Sequence, residues 1–295
     1  MSSRDPSGLL SVVHPAVQRT AVVLLHGLCS TPDELFTVQA GLRQQGYAVE
    51  PLSIDGYSYD ASAPLQHARP YRAWLDTIAA RVAVLRSSHD RVILVGISAG
   101  AALALGAAIR CGEAIDALVL MSTTLKFDGW AIPRTQVLLP LALYTPIGRF
   151  WQYRERPPYG VKNERVRAWI ARELRDRKIS RAGSSVIGIS HLREHDRLIR
   201  HVKRHLGEVR CASVLALHAQ QDEVASVANL DILAKGLRCG AFRTVVLGNS
   251  YHMITIDNDR QQVVRETVSF AESVAHGTSQ AFPSLFPAVF KEHVA

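Results

Sequence analysis

The chain has 295 residues, of which 47% are hydrophobic and 20% charged, a composition typical of a globular protein with a sizeable core. It contains no run of 18 apolar residues, which argues against a membrane-spanning helix. The four cysteines are scattered without the close spacing of a metal or redox site, so free thiols are expected. The first residues lack the features of a secretion signal, and we therefore expect a cytoplasmic protein.

Positive charge is concentrated in one part of the chain. The net charge is +8, and residues 151–210 carry 16 Lys and Arg against 7 Asp and Glu. The rest of the chain is therefore close to neutral. A solvated basic surface explains such a stretch, and so does a patch that attracts an anionic substrate or a lipid surface. No nucleic-acid partner is expected.

Apolar runs alternate with helical spacings along most of the chain. Buried strands are predicted at 21–27, 47–54, 91–96, 117–121, 213–219 and 242–248, and helices at 31–46, 71–88, 99–110 and 259–275. In the first of these helices, Thr31 is the expected N-cap, Pro32 suits the first turn, and Glu34 completes a capping box. This alternation predicts an α/β protein with a mostly parallel, doubly wound sheet.

The alternation is interrupted between about residues 125 and 188. We interpret this segment as an inserted helical cap, flanked by two parts of one core, 21–124 and 189–275. Within it, residues 163–183 are spaced as a basic amphipathic helix. The apolar run 137–144 either lines a pocket for an acyl chain or packs the cap against the core.

Both ends of the chain are predicted to lie outside this core. Residues 1–20 form an N-terminal extension, and residues 276–295 form a tail that contains three phenylalanines. The tail either docks on the body or touches a partner.

A glycine-flanked serine follows the third predicted strand. The turn Gly96-Ile97-Ser98-Ala99-Gly100 joins that strand to an Ala-rich helix. Such a turn raises the serine hydroxyl above the end of a sheet, and side chains at the two glycine positions would collide. The helix that follows aims its backbone N–H groups and positive end at the serine. The pattern indicates a nucleophilic Ser98, against the alternative of a structural Gly-rich turn.

The loop after the first strand, HGLCST, is the usual place for groups that bind an oxyanion. We predict that the amides of Leu28 and Ala99 are the two donors. His26 is expected to support this loop by hydrogen bonding. Cys29 is a second candidate nucleophile, but it has no obvious partner, and we interpret it as a packed thiol.

Two later strands end in the residue types that an activated serine requires. Asp222 follows the strand at 213–219, and His252 follows the strand at 242–248. The order serine, acid, histidine is the one that accompanies this serine turn. We predict His252 as the general base for Ser98 and Asp222 as the carboxylate that holds its tautomer.

Several rival residues receive structural interpretations. His218 lies inside a strand, as a core or supporting residue, and Asp257 and Asp259 precede the last helix as N-terminal caps. Four more histidines share one predicted helix, in i, i+4 pairs that suit a metal: His191, His195, His201 and His205. HExxH is absent and no carboxylate completes a site, so a solvated polar helix is expected there, with no metal.

The segments VVLLHGLCSTPDEL, GISAG, HAQQDEVAS and SYHMITIDNDR together resemble the α/β-hydrolases. Within them, the chain is similar to small bacterial carboxylesterases with a compact cap, and less closely to monoacylglycerol lipases. The resemblance covers residues 20–124 and 189–275. It implies the α/β-hydrolase fold, a Ser98–His252–Asp222 triad and no cofactor. The long basic cap and the turn Ser98-Ala99-Gly100-Ala101 depart from the pattern of these relatives.

The resemblance implies a serine hydrolase that cleaves carboxylic esters with small or medium acyl chains through an acyl-enzyme on Ser98. A thioesterase or acyltransferase would use the same residues on coenzyme A or carrier-protein thioesters, which are anionic. A binding protein that has lost the chemistry is the third alternative. Contact with a membrane surface also stays open.

Overall fold

The computed structural model describes residues 14–60, 62, 67–146, 152–177, 179–180 and 183–278. The predicted N-terminal extension is described only from residue 14 onward. The phenylalanine-containing part of the tail lies outside the described residues, so its predicted docking stays a prediction.

Strands and helices alternate through the part of the chain that the structure describes, except for three short strands in succession before the seventh helix. The strands are β1 (Thr20–Leu25), β2 (Ala48–Pro51), β3 (Arg91–Ile97), β4 (Ala117–Met121), β5 (Gln152–Arg154), β6 (Ile179–Ser180), β7 (Gly183–Ser184), β8 (Val186–Gly188), β9 (Ser213–Ala219) and β10 (Ala241–Leu247). The helices are α1 (Pro15–Gln18), α2 (Phe36–Gln44), α3 (Tyr71–Arg86), α4 (Ala99–Cys111), α5 (Leu139–Tyr144), α6 (Glu164–Arg177), α7 (Ile189–His205), α8 (Ala228–Gly236) and α9 (Arg260–Ala275).

Six of the strands form one sheet in the order β2-β1-β3-β4-β9-β10, and every neighbouring pair is parallel. In β1, Val23 and Leu25 pack against α3, α4 and α7, whereas Val22 and Leu24 face α2 and α9. Successive side chains of a strand point to opposite faces, so a sheet covered on both sides needs strands that are apolar throughout. The predicted doubly wound α/β sheet is therefore confirmed.

Several predicted elements are shorter in the structure, among them the second strand and the basic helix. β2 ends at Pro51, although a strand was predicted over 47–54. It lies at the edge of the sheet, where a residue without an N–H is tolerated. The basic helix predicted over 163–183 ends at Arg177, and β6 and β7 pair as a small antiparallel ribbon immediately afterwards.

The capping box predicted for Thr31 and Glu34 is wrong. Thr31 precedes a 3-10 turn, Pro32–Leu35, and its side chain makes no capping hydrogen bond. The Glu34 carboxylate is buried and accepts a hydrogen bond from the Gly27 amide instead. The turn folds back onto the loop after β1, which draws Glu34 away from the helix start.

The helix with four histidines, α7, is not solvated all round as predicted. His191 and His195 are buried, together with Leu198 and Val202, while the Arg and Lys side chains lie on the other face. This spacing of three and four residues gives one buried stripe. Gly106 permits the close contact of α4 with Leu198. Among the residues with described positions, no cluster of three His, Cys, Asp or Glu could hold a metal ion.

The described residues between β4 and α7 lie outside the six-stranded sheet. The Gly129 amide donates to the carbonyl of Val224, 3.0 Å away, and the Met253 amide donates to the carbonyl of Gly160 at 2.8 Å. These contacts tie the segment to the loops that follow β9 and β10, at the carboxyl edge of the sheet. None of the helices in the described ranges is both long and apolar enough to cross a membrane.

Candidate active site

Ser98 lies in a sharp turn between β3 and α4. Its backbone adopts φ 55° and ψ −117°, a conformation that L residues rarely occupy. A Cβ on Gly96 would overlap the backbone of Gly100, and a Cβ on Gly100 would overlap the carbonyl oxygen of Leu25 at the end of β1. The predicted collision at both glycines is confirmed. The second overlap also means that α4 begins directly against the end of β1.

Three predicted site residues meet at this edge of the sheet. The His252 Nε2 atom lies 2.8 Å from the Ser98 Oγ atom. The His252 Nδ1 atom lies 2.8 Å and 3.0 Å from the two carboxylate oxygens of Asp222. In the tautomer that fits this network, Nδ1–H donates to Asp222 and Nε2 accepts from the Ser98 hydroxyl. Residues far apart in the sequence are therefore joined by one continuous series of hydrogen bonds.

Asp222 is held by the turn that follows β9. Its Oδ1 atom accepts from the amides of Val224 and Ala225, each at 2.8 Å. Burial opposes ionisation of this carboxyl, but the neighbouring His252 and these hydrogen bonds outweigh it and hold the pKa of Asp222 below its ordinary value. Asp222 is therefore ionised at neutral pH.

His218 was predicted as a core or supporting residue inside a strand, and the structure places it there. The His218 ring is fully buried in β9, and its Nε2 atom lies 2.7 Å from the carbonyl oxygen of Ala225. The same Nε2 atom lies 3.4 Å from the carboxylate of Asp222. His218 thus packs beneath the carboxylate that meets His252.

His252 is fixed through its backbone as well as its ring. The Ser122 hydroxyl donates to the His252 carbonyl at 2.7 Å, and the His252 amide donates to the Glu223 carboxylate at 3.0 Å. Burial disfavours the charged ring, but the carboxylates of Asp222, Glu223 and Glu34 outweigh it and raise the pKa of His252 above 6.5. The site therefore stabilises an imidazolium, the form that appears when a histidine accepts a proton.

The loop after β1 is held by buried side chains. His26 Nδ1 lies 2.8 Å from the Gly27 carbonyl oxygen, and Nε2 lies 2.7 Å from the Ser58 hydroxyl oxygen. The predicted supporting role of His26 is confirmed. Cys29 is buried, and this burial raises the pKa of its thiol to about 12. A thiol that stays protonated is a poor nucleophile, which agrees with the interpretation of Cys29 as a packed side chain.

The predicted oxyanion donors occupy suitable positions in the backbone. The amides on either side of Leu28 are engaged, since Gly27 donates to Glu34 at 2.6 Å and Cys29 donates to the carbonyl of Tyr57 at 3.1 Å. No hydrogen bond of the Leu28 amide is found within the described ranges. Ala99 is the first residue of α4, where helix geometry leaves the amide without a partner in the helix.

Glu34 is a site residue that the sequence analysis missed. Its carboxylate is only 2% exposed and accepts the hydrogen bond of the Gly27 amide. Burial raises the pKa of Glu34 to about 7, although the hydrogen bond from Gly27 acts in the opposite direction. Its charge also acts on His252. The one sequence signal was an acidic residue seven positions after Gly27, in a pattern that also fits a capping box.

Asp257 and Asp259 precede the last helix as predicted, but their side chains do not cap it. Asp259 occupies the N-cap position of α9, but its side chain makes no capping hydrogen bond. Its carboxylate accepts from the Asn249 amide at 2.8 Å and the Ser250 hydroxyl at 2.9 Å. Asp257 accepts from the Tyr251 amide at 2.9 Å and from the Lys162 amide at 2.7 Å. Both carboxylates brace the loop that carries His252, because this loop folds back over the start of α9.

Comparison with known proteins points to one family and one fold. The model of a hydrolase family described as serine aminopeptidase, S33, matches residues 16–259. A search of curated protein sequences finds no significant match.

Solved structures with the same fold include lipolytic enzymes. One comes from the work on LipS and LipT, two metagenome-derived lipolytic enzymes, with 20% identity, a TM-score of 0.71, and coverage of 88% of this chain and 99% of that one. The monoacylglycerol lipase of Paleococcus ferrophilus is 17% identical, with a TM-score of 0.71, and the match covers 87% of this chain and 95% of that one. A soluble variant of monoglyceride lipase from Saccharomyces cerevisiae is 12% identical, with a TM-score of 0.70, and the match covers 87% of each chain. At these identities, the likeness establishes the α/β-hydrolase fold.

Proposed function

Because the chain belongs to the serine aminopeptidase S33 family of α/β-hydrolases, we propose that it hydrolyses carboxylic esters through an acyl-enzyme on Ser98. The observation that carries this proposal is the hydrogen-bonded chain from the Ser98 hydroxyl through His252 to Asp222. Serine alone is a weak nucleophile, and an adjacent base oriented by a carboxylate is the arrangement that activates it. Lipases and esterases among the similar structures support an ester as the substrate.

In the first step, the Ser98 Oγ atom attacks the carbonyl carbon of the ester. His252 Nε2 takes the hydroxyl proton, and the ionised Asp222 stabilises the imidazolium that forms. The carbonyl oxygen becomes an oxyanion, which accepts hydrogen bonds from the amides of Leu28 and Ala99. The open amide of Leu28 and the first-turn position of Ala99 support these roles.

The tetrahedral intermediate then collapses. His252 gives its proton to the oxygen of the leaving alcohol, the C–O bond breaks, and the acyl group stays on Ser98. A water molecule next attacks the acyl carbonyl while His252 takes its proton. When this second intermediate collapses, the proton returns to the Ser98 oxygen and the carboxylic acid leaves. Every proton transfer in this scheme uses His252 Nε2.

Small or medium acyl chains are the proposed substrates. The segment that follows β5 lies close against the loop of His252, since Gly160 accepts a hydrogen bond from Met253 and a Cβ on Gly160 would overlap the Met253 side chain. This close approach brings the segment beside the loop that carries His252, where it would border a bound acyl chain.

The test is kcat/KM for one medium acyl group presented as a simple oxygen ester and as a coenzyme A thioester, each at low and high salt. Ser98→Ala serves as the blank, and Ser87→Ala, at an exposed helix end, serves as the matched control. We expect the oxygen ester to be preferred, with little dependence on salt, and Ser98→Ala to be inactive. An aminoacyl anilide added as a third substrate tests the peptidase activity in the family's description.

Two results would change the proposal. A preference for the thioester that decreases at high salt would change the proposed reaction to thioester hydrolysis. The cations of residues 151–210 would then attract an anionic substrate, and salt would screen this attraction. Turnover by Ser98→Ala equal to that of the unchanged protein would remove the serine mechanism altogether.

A further inference from the structure

Most large side chains of the apolar run 137–144 are exposed, so the run does not pack as a whole against the core. Among the described residues, nine large hydrophobic side chains are exposed, and four of them fall within these eight positions. Val137 is 76% exposed, Leu138 57%, Leu141 59% and Tyr144 42%, while Leu143 is buried. Such a concentration of exposed apolar side chains on one short segment indicates a contact surface, because isolated ones are the norm elsewhere.

This segment rests on the outer face of α7. The Tyr144 hydroxyl donates to Asp196 at 2.5 Å, and the guanidinium groups of Arg197 and Arg200 lie 6.0 Å and 5.2 Å from the centre of the Tyr144 ring. Arg193 donates to the carbonyl of Leu143. The exposed apolar side chains are therefore bordered by cations whose positions are set by the packing of α5 on α7.

A groove continues this surface along α7. Its lining carries four cations, Lys126, Arg200, Lys203 and Arg204, against one acid, Asp196. Lys126 and Arg200 have acidic partners, Asp128 at 3.1 Å and Asp196 at 2.9 Å. Within the described ranges, no ion pair is formed by Lys203 or Arg204, and both side chains are exposed. The groove therefore presents uncompensated positive charge.

We propose that residues 137–144 and the outer face of α7, together the α5–α7 surface, dock the protein on a bilayer that contains anionic phospholipids. Exposed apolar side chains beside a cationic face are the combination that binds at the boundary between headgroups and acyl chains. Leu138 and Leu141 enter the bilayer, and Lys203 and Arg204 contact lipid phosphates. The proposal uses none of the residues of the Ser98 site and does not depend on ester hydrolysis.

A bilayer with anionic lipids accounts for both halves of this surface at once. A free phosphate would engage the cations and leave the apolar side chains in water. An acidic protein would satisfy the charges, but it would need a matching apolar patch of its own. The excess of positive charge in residues 151–210 adds a longer-range attraction towards an anionic membrane.

The experiment measures binding of the full chain to vesicles by co-sedimentation. One set of vesicles is pure phosphatidylcholine and the other contains phosphatidylglycerol as well, each at low and high salt. We expect at least about tenfold tighter binding to the anionic vesicles, with an advantage that falls as salt screens the charges. Free inorganic phosphate at the same concentration should not displace the protein from the vesicles.

Two double variants divide the surface into its halves. Lys203→Glu with Arg204→Glu should remove the preference for anionic vesicles, by at least about tenfold in the dissociation constant. Leu138→Ser with Leu141→Ser should remove the binding that remains at high salt. The matched controls are Arg172→Glu with Arg175→Glu on the exposed face of α6, and Val84→Ser on α3, which is 55% exposed. Far-ultraviolet circular dichroism and thermal melting check that each variant is folded.

Equal loss of binding in the α6 control and the α7 variant would overturn the proposal, because the effect would then follow net charge alone. The proposal also fails if the unchanged chain binds neither kind of vesicle, or binds both equally at low salt. Retained binding in both controls, with loss in both surface variants, supports it.

Discussion

The Ser98 site contains buried negative charges, whereas the α5–α7 surface carries exposed positive charges. Around His252, the carboxylates of Asp222, Glu223 and Glu34 are buried and hydrogen-bonded to backbone amides. On the α5–α7 surface, Lys203 and Arg204 are exposed. Buried charges respond strongly to the loss of a partner, whereas exposed charges are screened by water and salt. The net charge of +8 does not show that the two regions differ in this way.

Helix α7 contains both kinds of environment. Its inner face buries His191 and His195, and burial lowers the pKa of each to about 4. Its outer face carries three of the four cations of the groove, Arg200, Lys203 and Arg204. Composition therefore describes neither face, and each environment can be tested separately by substitution.

Ser98→Ala should leave the fold intact and lower kcat by about 10⁴- to 10⁶-fold, because the members of a triad act as a unit. Steady-state kinetics with a medium-chain ester, beside thermal melting of the same samples, checks this. A loss of activity that is accompanied by unfolding would assign a structural role to Ser98 and break the contrast with the surface.

Asp222→Asn should lower kcat by about 10⁴-fold, because the amide favours the wrong tautomer of His252. Loss of the carboxylate also removes a charge that raises the pKa of His252, so that pKa should fall. NMR titration of the imidazole in both proteins measures this shift. Unchanged activity and an unchanged titration would mean that another acid orients the ring.

His195→Leu tests the buried face of α7. The pKa of His195 is lowered from 6.5 to about 4, so the unfolded chain binds a proton in that range that the folded chain excludes. The contribution of the neutral His195 to the free energy of unfolding is complete above pH 6.5 and is lost as the pH falls towards 4. When the pH falls from 6.5 to 5, one such residue lowers the free energy of unfolding by about 2 kcal/mol.

Denaturant unfolding at those two pH values measures the effect. His195→Leu should reduce the loss of stability on acidification by that amount, whereas His276→Leu, at an exposed position, should not. An identical loss in the unchanged protein and in His195→Leu would show that α7 takes up protons without opening.

Glu34→Gln should have the smallest effect. The amide oxygen can still accept from Gly27, so kcat should fall by only a few fold, but the charge acting on His252 disappears. The rising limb of kcat/KM against pH should therefore move to lower pH, by less than about one unit. Glu34→Ala, which leaves the Gly27 amide without its acceptor, should lose more activity. A pH profile that neither variant alters would make Glu34 irrelevant to the site.

The strand ends that carry Ser98, Asp222 and His252 could be predicted from the sequence. Each follows an apolar run that is typical of a buried strand, and parallel strands direct their carboxyl ends to one edge of the sheet. Their catalytic roles remain proposals, as does the division of the chain into a core and a cap.

Other features depended on contacts that local patterns do not show. Glu34 fits a capping box within four residues, and only the fold of the loop brings it to Gly27. Asp259 stands at a helix start, yet it accepts bonds from the loop behind it. For α7, the lack of a metal-site pattern led to the prediction of a solvated helix, although the spacing of His191, His195, Leu198 and Val202 already marked a buried stripe.

The most direct test of the serine mechanism is the mass of the intact protein after reaction with a fluorophosphonate, followed by peptide mapping. We predict one adduct per chain, on the peptide that contains Ser98, and none in Ser98→Ala. Prior denaturation should abolish labelling, because the reaction depends on the contact of Ser98 with His252. An adduct on another residue, or ester hydrolysis that continues with Ser98 fully labelled, would contradict the proposed acyl-enzyme.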